Sequence, residues 1–263
     1  MTNNYRQILD CFKYITYICF MKRQFNFDDD YFSVIDSEHK AYFLGLLFAD
    51  GNIYAARNRV QITLANEDAY ILEDFAKSIE YTGKIYIDKV KYSKLILPSS
   101  KMCTDLSKLG CTPNKSLTLQ FPTDKQVPSH LLHHFIRGCF DGDGHVSKRG
   151  NSFNVNFTSS KDFMTGFINL LTQLGIDTTG SKKRYEDHKE SAHQVYIRSN
   201  SSKTFFDYIY KDATVFLTRK KTIVDLPLIE KQIKLCNVCE SEHFAKGFCK
   251  KHYRNNYFKL NGK

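Results

Sequence analysis

The chain has 263 residues, enough for one large domain or two smaller ones, and 42% of them are apolar, as in an ordinary globular protein. Lys and Arg outnumber Asp and Glu by 38 to 28, a formal net charge of +10, which favours a polyanionic partner such as nucleic acid. Eight cysteines, five of them scattered, do not form the dense framework of a small secreted protein, so a reducing, intracellular (cytoplasmic) setting is expected.

In chain order, Ile8 to Met21 is apolar but broken by Asp10 and Lys13, too short and polar for a bilayer span. No small-residue cleavage site follows it. Residues 1–30 are read as an N-terminal extension, of which residues 1–20 are dispensable, since Met21 opens a basic start. A first half then runs over 31–127, a second over 128–227, and a tail over 228–263. The halves are recognised by a repeat. Phe43-Leu44-Gly45-Leu46-Leu47-Phe48-Ala49-Asp50-Gly51 matches Ile136-Arg137-Gly138-Cys139-Phe140-Asp141-Gly142-Asp143-Gly144.

The first motif reads as a helix from about Ser37 to Ala49, capped by Ser37 and stopped by Gly51; its counterpart starts at Ser129 after Pro128. Alternating stretches follow each motif. Val60, Ile62 and Leu64 are interleaved with Gln61 and Thr63, and Phe153, Val155 and Phe157 with Asn154, Asn156 and Thr158. Period two predicts strands with one buried face. Helices follow, with Asn66 and Ser160 as expected N-caps, then strand pairs Lys84–Asp88 with Lys94–Leu97 and Lys182–Tyr185 with Gln194–Arg198. Ser99-Ser100-Lys101 and Ser201-Ser202-Lys203 open a further helix in each half, and Lys115 and Lys220 each stand seven residues before a proline. The fold class is therefore α+β: a pseudo-twofold tandem repeat of αββαββα halves with antiparallel sheets.

Gly45 and Ala49 share one helix face, as do Gly138 and Gly142. Mid-helix glycine costs up to about 1 kcal/mol relative to alanine, so its use in both halves calls for close helix packing. Packing the two faces together brings Asp50 and Asp143 side by side. Two adjacent carboxylates at helix C-termini repel, and a divalent cation such as Mg²⁺ would relieve the repulsion.

The doubled motif, FLGLLFADG and IRGCFDGDG, resembles that of the LAGLIDADG homing endonucleases over roughly residues 31–227. The resemblance implies saddle-shaped sheets set on duplex DNA, motif helices at the domain interface, and double-strand cleavage by a monomer at a long asymmetric site, with intron mobility as the setting. It implies metal bound by Asp50 and Asp143, with the carbonyls of Ala49 and Gly142 as further ligands. It also implies catalytic basic residues at Lys115 and Lys220, with Lys221 a competitor, and polar residues at Asn66 and Ser160. Phe48 departs from the motif's first acidic position, which Asp141 keeps, and Arg137 stands where an apolar residue is usual. On the sheets, the rows Arg59, Gln61, Thr63; Asn154, Asn156, Thr158; Gln194, Tyr196, Arg198; and Lys182, Arg184 are expected to contact DNA.

In the tail, Cys236-x2-Cys239-x9-Cys249-x2-His252 has the spacing of a structural Zn²⁺ site, with His243 an alternative ligand that breaks the pairing. The tail resembles zinc knuckles appended to phage endonucleases. From Cys236 onward six Lys/Arg and two Glu give it net +4, which suits DNA binding. The alternative to a nuclease is a non-cleaving nucleic-acid-binding protein on the same fold, an intron RNA maturase or a transcription regulator; the acids kept in both motifs favour the nuclease. No splicing-domain signature is visible at either end, which argues against an intein.

Overall fold

The computed structural model describes residues 25–185, 191–226, 235–242 and 244–261, with side chains through 255. His243 and residues 1–24 lie outside the described residues. The chain divides into two compact units, the first ending at Asp225 and the second beginning at Leu226. No helix among the described residues is long and apolar enough to cross a membrane.

The first unit holds the two halves. In the first, α1 (Glu38–Asp50) leads into β1 (Gly51–Tyr54) and β2 (Arg59–Ala65). Then come α2 (Ala69–Ser78), β3 (Tyr86–Ile87), β4 (Tyr92–Pro98) and α3 (Ser100–Lys108). The second half repeats the order with α4 (Leu132–Asp143), β5 (Gly144–Arg149), β6 (Ser152–Ser159), α5 (Lys161–Gln173), β7 (Lys182–Lys183), β8 (His193–Ile197) and α6 (Ser202–Ile209). It adds α7 (Thr218–Asp225) where the first half has only a 3-10 turn at Lys115–Leu117. Each half makes one antiparallel four-stranded sheet, in the orders β1-β2-β4-β3 and β5-β6-β8-β7. The registers correspond: Gly51 pairs with Ile62 and Ile62 with Leu95, as Gly144 pairs with Phe157 and Phe157 with Val195.

The alternation works as expected. Val60, Ile62, Leu64, Leu95 and Leu97 are buried under one sheet, and Val155, Phe157, Val195 and Ile197 under the other. Ser37 caps α1 by accepting the Lys40 N–H, Ser99 caps α3 at 3.0 Å and Ser160 caps α5 at 3.1 Å. Two expected start signals fall elsewhere. Asn66 opens a 3-10 turn and caps nothing; its amide donates to the Asp88 carbonyl at 2.8 Å and accepts from Ser93 Oγ at 2.9 Å, tying α2 to the β3–β4 hairpin. Ser201 accepts the Asp177 N–H at 3.0 Å instead of capping α6.

The boundary at residue 30 also moves. Phe27 is buried, Phe25 sets its ring 5.0 Å from that of Tyr81, and Asp28 N–H reaches the Ile79 carbonyl at 2.8 Å. Residues 25–30 thus belong to the first half. Sequence alone did not show this, because two phenylalanines before an Asp run carry no period.

The motif helices pack through their glycines. A Cβ on Gly45 would fall 2.1 Å from the Phe135 carbonyl oxygen, and one on Gly138 would fall 2.0 Å from that of Tyr42. Neither position admits any other residue without parting the helices. Gly51 and Gly144 end the helices for a different reason than the expected left-handed turn. Their φ values are −78° and −82°, and a Cβ there would strike the Leu47 carbonyl and side chain or the Phe140 ring.

Candidate metal centre and nucleic-acid interface

The packed glycines carry both helix ends to one place. Asp50 closes α1 and Asp143 closes α4, and Asp50 Oδ2 lies 2.9 Å from where a Gly142 Cβ would stand. Both acids are exposed by surface area, yet the protein around them withholds water. Burial pushes the Asp143 carboxyl up to about 6, and the charge of Asp50 adds to it, against Lys115, Lys220 and Arg184. Burial raises Asp50 too, against Lys220, Lys115 and Arg219. Like-charged, partly desolvated carboxylates facing one another are a hard-oxygen donor set that a divalent cation suits.

The two lysines reach the seam but do not point outward. Lys115 is buried and its ammonium donates to the Gly51 carbonyl. Lys220, 4% exposed, donates to the carbonyls of Phe140, Asp141 and Gly144 at 2.6, 2.7 and 2.5 Å. The Gly142 carbonyl is not among those acceptors. Both lysines thus neutralise the negative end of a motif helix. Burial brings the Lys220 ammonium down to about 8, with Asp141 opposing.

Two arginines complete the seam. Arg184, expected in a row with Lys182, continues the pairing with β8, its N–H donating to the Ala192 carbonyl at 2.8 Å. It stands just past β7 and lines a cavity of about 190 Å³ with Lys115, Asp143, Thr158, Phe48 and Ala49. Arg219, which the sequence reading passed over, holds buried Asp68 at 3.0 Å and counts among the charges acting on Asp50. Its place beside Lys220 was the available signal.

The polar rows lie on the sheet faces away from the core. Arg59, Gln61 and Thr63 are half-buried on β2, with the Arg59 guanidinium 4.4 Å from the Tyr54 ring centre and Gln61 Nε2 3.4 Å from Thr63 Oγ1. Asn154 is exposed and Asn156 half-buried on β6. Gln194 donates to Asn156 at 2.8 Å and accepts from Tyr196 Oη at 3.1 Å, so these residues form a connected row. Lys182 pairs in register with Gln194, and Arg198 is exposed just beyond β8. Asn66 is engaged within its own half, whereas Ser160 Oγ donates across to the Leu119 carbonyl of the first half.

The second unit is described by itself. Small bridges, Leu235 with Glu242 and Ala245 with Phe248, precede the helix α8 (Lys250–Asn261). The ligand atoms of Cys236, Cys239, Cys249 and His252 all lie within 4.8 Å of one another. His252 Nδ1 is 3.4 Å from the sulfurs of Cys236 and Cys249, and the Cys239 and Cys249 sulfurs are 3.7 Å apart. Thiolates at about 2.3 Å from a tetrahedral zinc stand at comparable separations, so these residues fit Zn²⁺.

Residues 131–210 match the family model of the LAGLIDADG-like domain. Over 166 residues, 59% of the chain, it is 28% identical to a probable translation initiation factor IF-2 of Methanocaldococcus jannaschii. Over 211 residues, 75% of the chain, it is 26% identical to an uncharacterised protein of the same organism. The chain spans only 13% and 23% of the length of these relatives. Among solved structures, the LAGLIDADG homing endonuclease I-GzeII in complex with its DNA target aligns over 73% of this chain and 88% of that one, at 12% identity and a TM-score of 0.47.

Proposed function

We propose that this chain is a site-specific double-strand DNA endonuclease, a homing endonuclease, that works as a monomer at a long asymmetric site. The observation that carries the reading is the glycine-packed seam. It sets Asp50 and Asp143 together, ringed by Lys115, Lys220, Arg184 and Arg219, between two sheets with polar outer faces.

Asp50 and Asp143 would hold Mg²⁺, with the Ala49 and Gly142 carbonyls as further donors. Bound there, the ion supplies positive charge that stabilises the transferring phosphoryl oxygens and lowers the pKa of an attacking water. The chain's own groups position the duplex. Arg184 and Arg219 supply cation charge beside the acids, and the buried lysines fix the helix ends on which the acids ride. The rows from Arg59 to Arg198 read base edges and phosphates along the grooves. The second unit, closed by Zn²⁺ on Cys236, Cys239, Cys249 and His252, adds basic charge to the duplex contact. Four protein ligands leave that site no open position for catalysis.

The halves differ where it matters: Leu44 against Arg137, Phe48 against Asp141. An asymmetric target follows. Incubating the chain with a randomised duplex library and Mg²⁺, then recovering cut ends, tests the reading. A defined long cut site supports it. Duplexes captured but never cut would favour the non-cleaving alternative.

A further inference from the structure

Arg137 has no exposed surface and sits in the middle of α4. A guanidinium survives there only if its donors are engaged. Nε donates to the Val215 carbonyl at 2.9 Å, Nη1 to the Ile209 carbonyl at 2.8 Å, and Nη2 to Glu38 Oε1 at 2.6 Å. Nη1 also meets His134 Nδ1 at 2.8 Å. Glu38, in the first turn of α1, accepts in turn from Thr214 N–H and Oγ1, both at 2.7 Å, and from Val215 N–H at 3.2 Å. One turn along α4, Asp141 is fully buried. Its Oδ2 accepts from Tyr42 Oη at 2.9 Å and from the Leu217 N–H at 2.8 Å, while Oδ1 has no partner among the described residues.

Three polar side chains of the motif helices, Glu38, Arg137 and Asp141, therefore grip one backbone segment, from Ile209 to Leu217. That segment joins α6 to α7, and α7 begins at the next residue and carries Arg219 and Lys220. The first half has Leu44 and Phe48 at the matching positions, and neither can make a polar grip. Polar bonding of this extent is not needed to hold two helices together, since the glycine faces already do so. Its targets are the arm, not the partner helix alone.

We propose that Arg137 and Asp141 are positioning residues that strap residues 209–217 to the motif helices and so seat Arg219 and Lys220 at one of the two phosphodiester sites. The strap itself stands on this geometry; its consequence for one strand rests on the nuclease reading above. It makes the seam mechanically unequal: Leu44 and Phe48 pack as apolar side chains where Arg137 and Asp141 make hydrogen bonds.

The test uses the full chain with Asp141→Leu, Asp141→Asn and Tyr42→Phe. In the free protein, amide hydrogen exchange is followed across residues 215–221. Asp141→Leu should speed it by about tenfold or more, the scale of one lost hydrogen bond to a charged acceptor, with α4 unchanged. Asp141→Asn, which keeps an acceptor oxygen, should stay near wild type. On a duplex that the wild type cuts, strand-resolved assays should show one strand slowed about tenfold by Asp141→Leu and the other nearly unaffected, with affinity preserved and rescue by Asn. Nicked duplex then accumulates. Equal slowing of both strands, or unchanged exchange at 215–221, overturns the proposal. Should the wild type cut no duplex, the nuclease reading fails, and the exchange measurement alone decides the strap. Should Asp141→Leu not fold, Tyr42→Phe, which removes a single hydroxyl, is read in its place for the same exchange and strand bias in smaller measure; no bias and no exchange change there also overturns it.

Discussion

Lys115 and Lys220 answer each other across the seam: each ammonium donates to the carbonyl of the glycine that follows a motif helix, Gly51 for Lys115 and Gly144 for Lys220. Lys220 serves three carbonyls, so its loss leaves more buried acceptors without a donor. Lys220→Met should destabilise the first unit by about 2–4 kcal/mol and Lys115→Met by about 1–2 kcal/mol. Urea unfolding of both variants checks this. Equal, negligible losses would show the lysines to be free of the helix ends.

The acids should make the metal-free protein less stable than it could be. Asp143 has a folded-state pKa of about 6, above the usual 3.8. Below about pH 4 both folded and unfolded forms are protonated, and nothing is lost. As pH rises to about 6 the unfolded chain ionises first, so stability falls. Asp143→Asn should therefore melt higher than wild type at pH 7, by on the order of 1 kcal/mol once solvent screening of an exposed group is allowed for. The advantage should vanish near pH 4. Thermal melts in chelator across that range are the check, and a lower melt for Asp143→Asn at pH 7 would contradict it.

Gly45 leaves no room for a methyl against the Phe135 carbonyl. Gly45→Ala should force α1 and α4 apart, at a cost of about 3 kcal/mol or more, and should separate the acids. A melt shows the first effect. A wild-type melt would mean that the helices do not pack as closely as described.

Chelating the tail should release one zinc per chain and unfold the second unit alone, since so short a segment cannot bury a sufficient core. Cys236→Ser should do the same. DNA affinity should weaken and lose part of its salt dependence, with single-turnover cleavage at saturating protein kept. Metal analysis with near-native melting of the first unit checks it; lost cleavage at normal affinity would move the chemistry to the tail.

The repeat made most of this fold legible. Gly45 and Gly138 announced close helix packing because glycine is otherwise costly there, and period two in β2 and β6 separated core from surface. The cysteine spacing marked its own cluster. What escaped notice was set by tertiary context. Arg137 reads only as a departure from an apolar motif position until three partners from distant segments surround it. Asn66 serves a hairpin 22 residues away, which no local capping rule encodes. Arg219 reaches Asp68 across 151 positions of sequence.

Strand-resolved cleavage by Asp50→Asn and Asp143→Asn, on a duplex cut by the wild type in Mg²⁺, tests the central claim most directly. Each variant keeps the size of the side chain and removes one metal-binding charge. Cleavage of both strands should fall by at least about 100-fold, the scale of losing a principal electrostatic contributor. Affinity in Ca²⁺ should hold or rise, because repulsion at the seam and toward phosphate is relieved. Wild-type cutting by either variant, with the chain folded and bound, would contradict the assignment of these two acids as the metal centre.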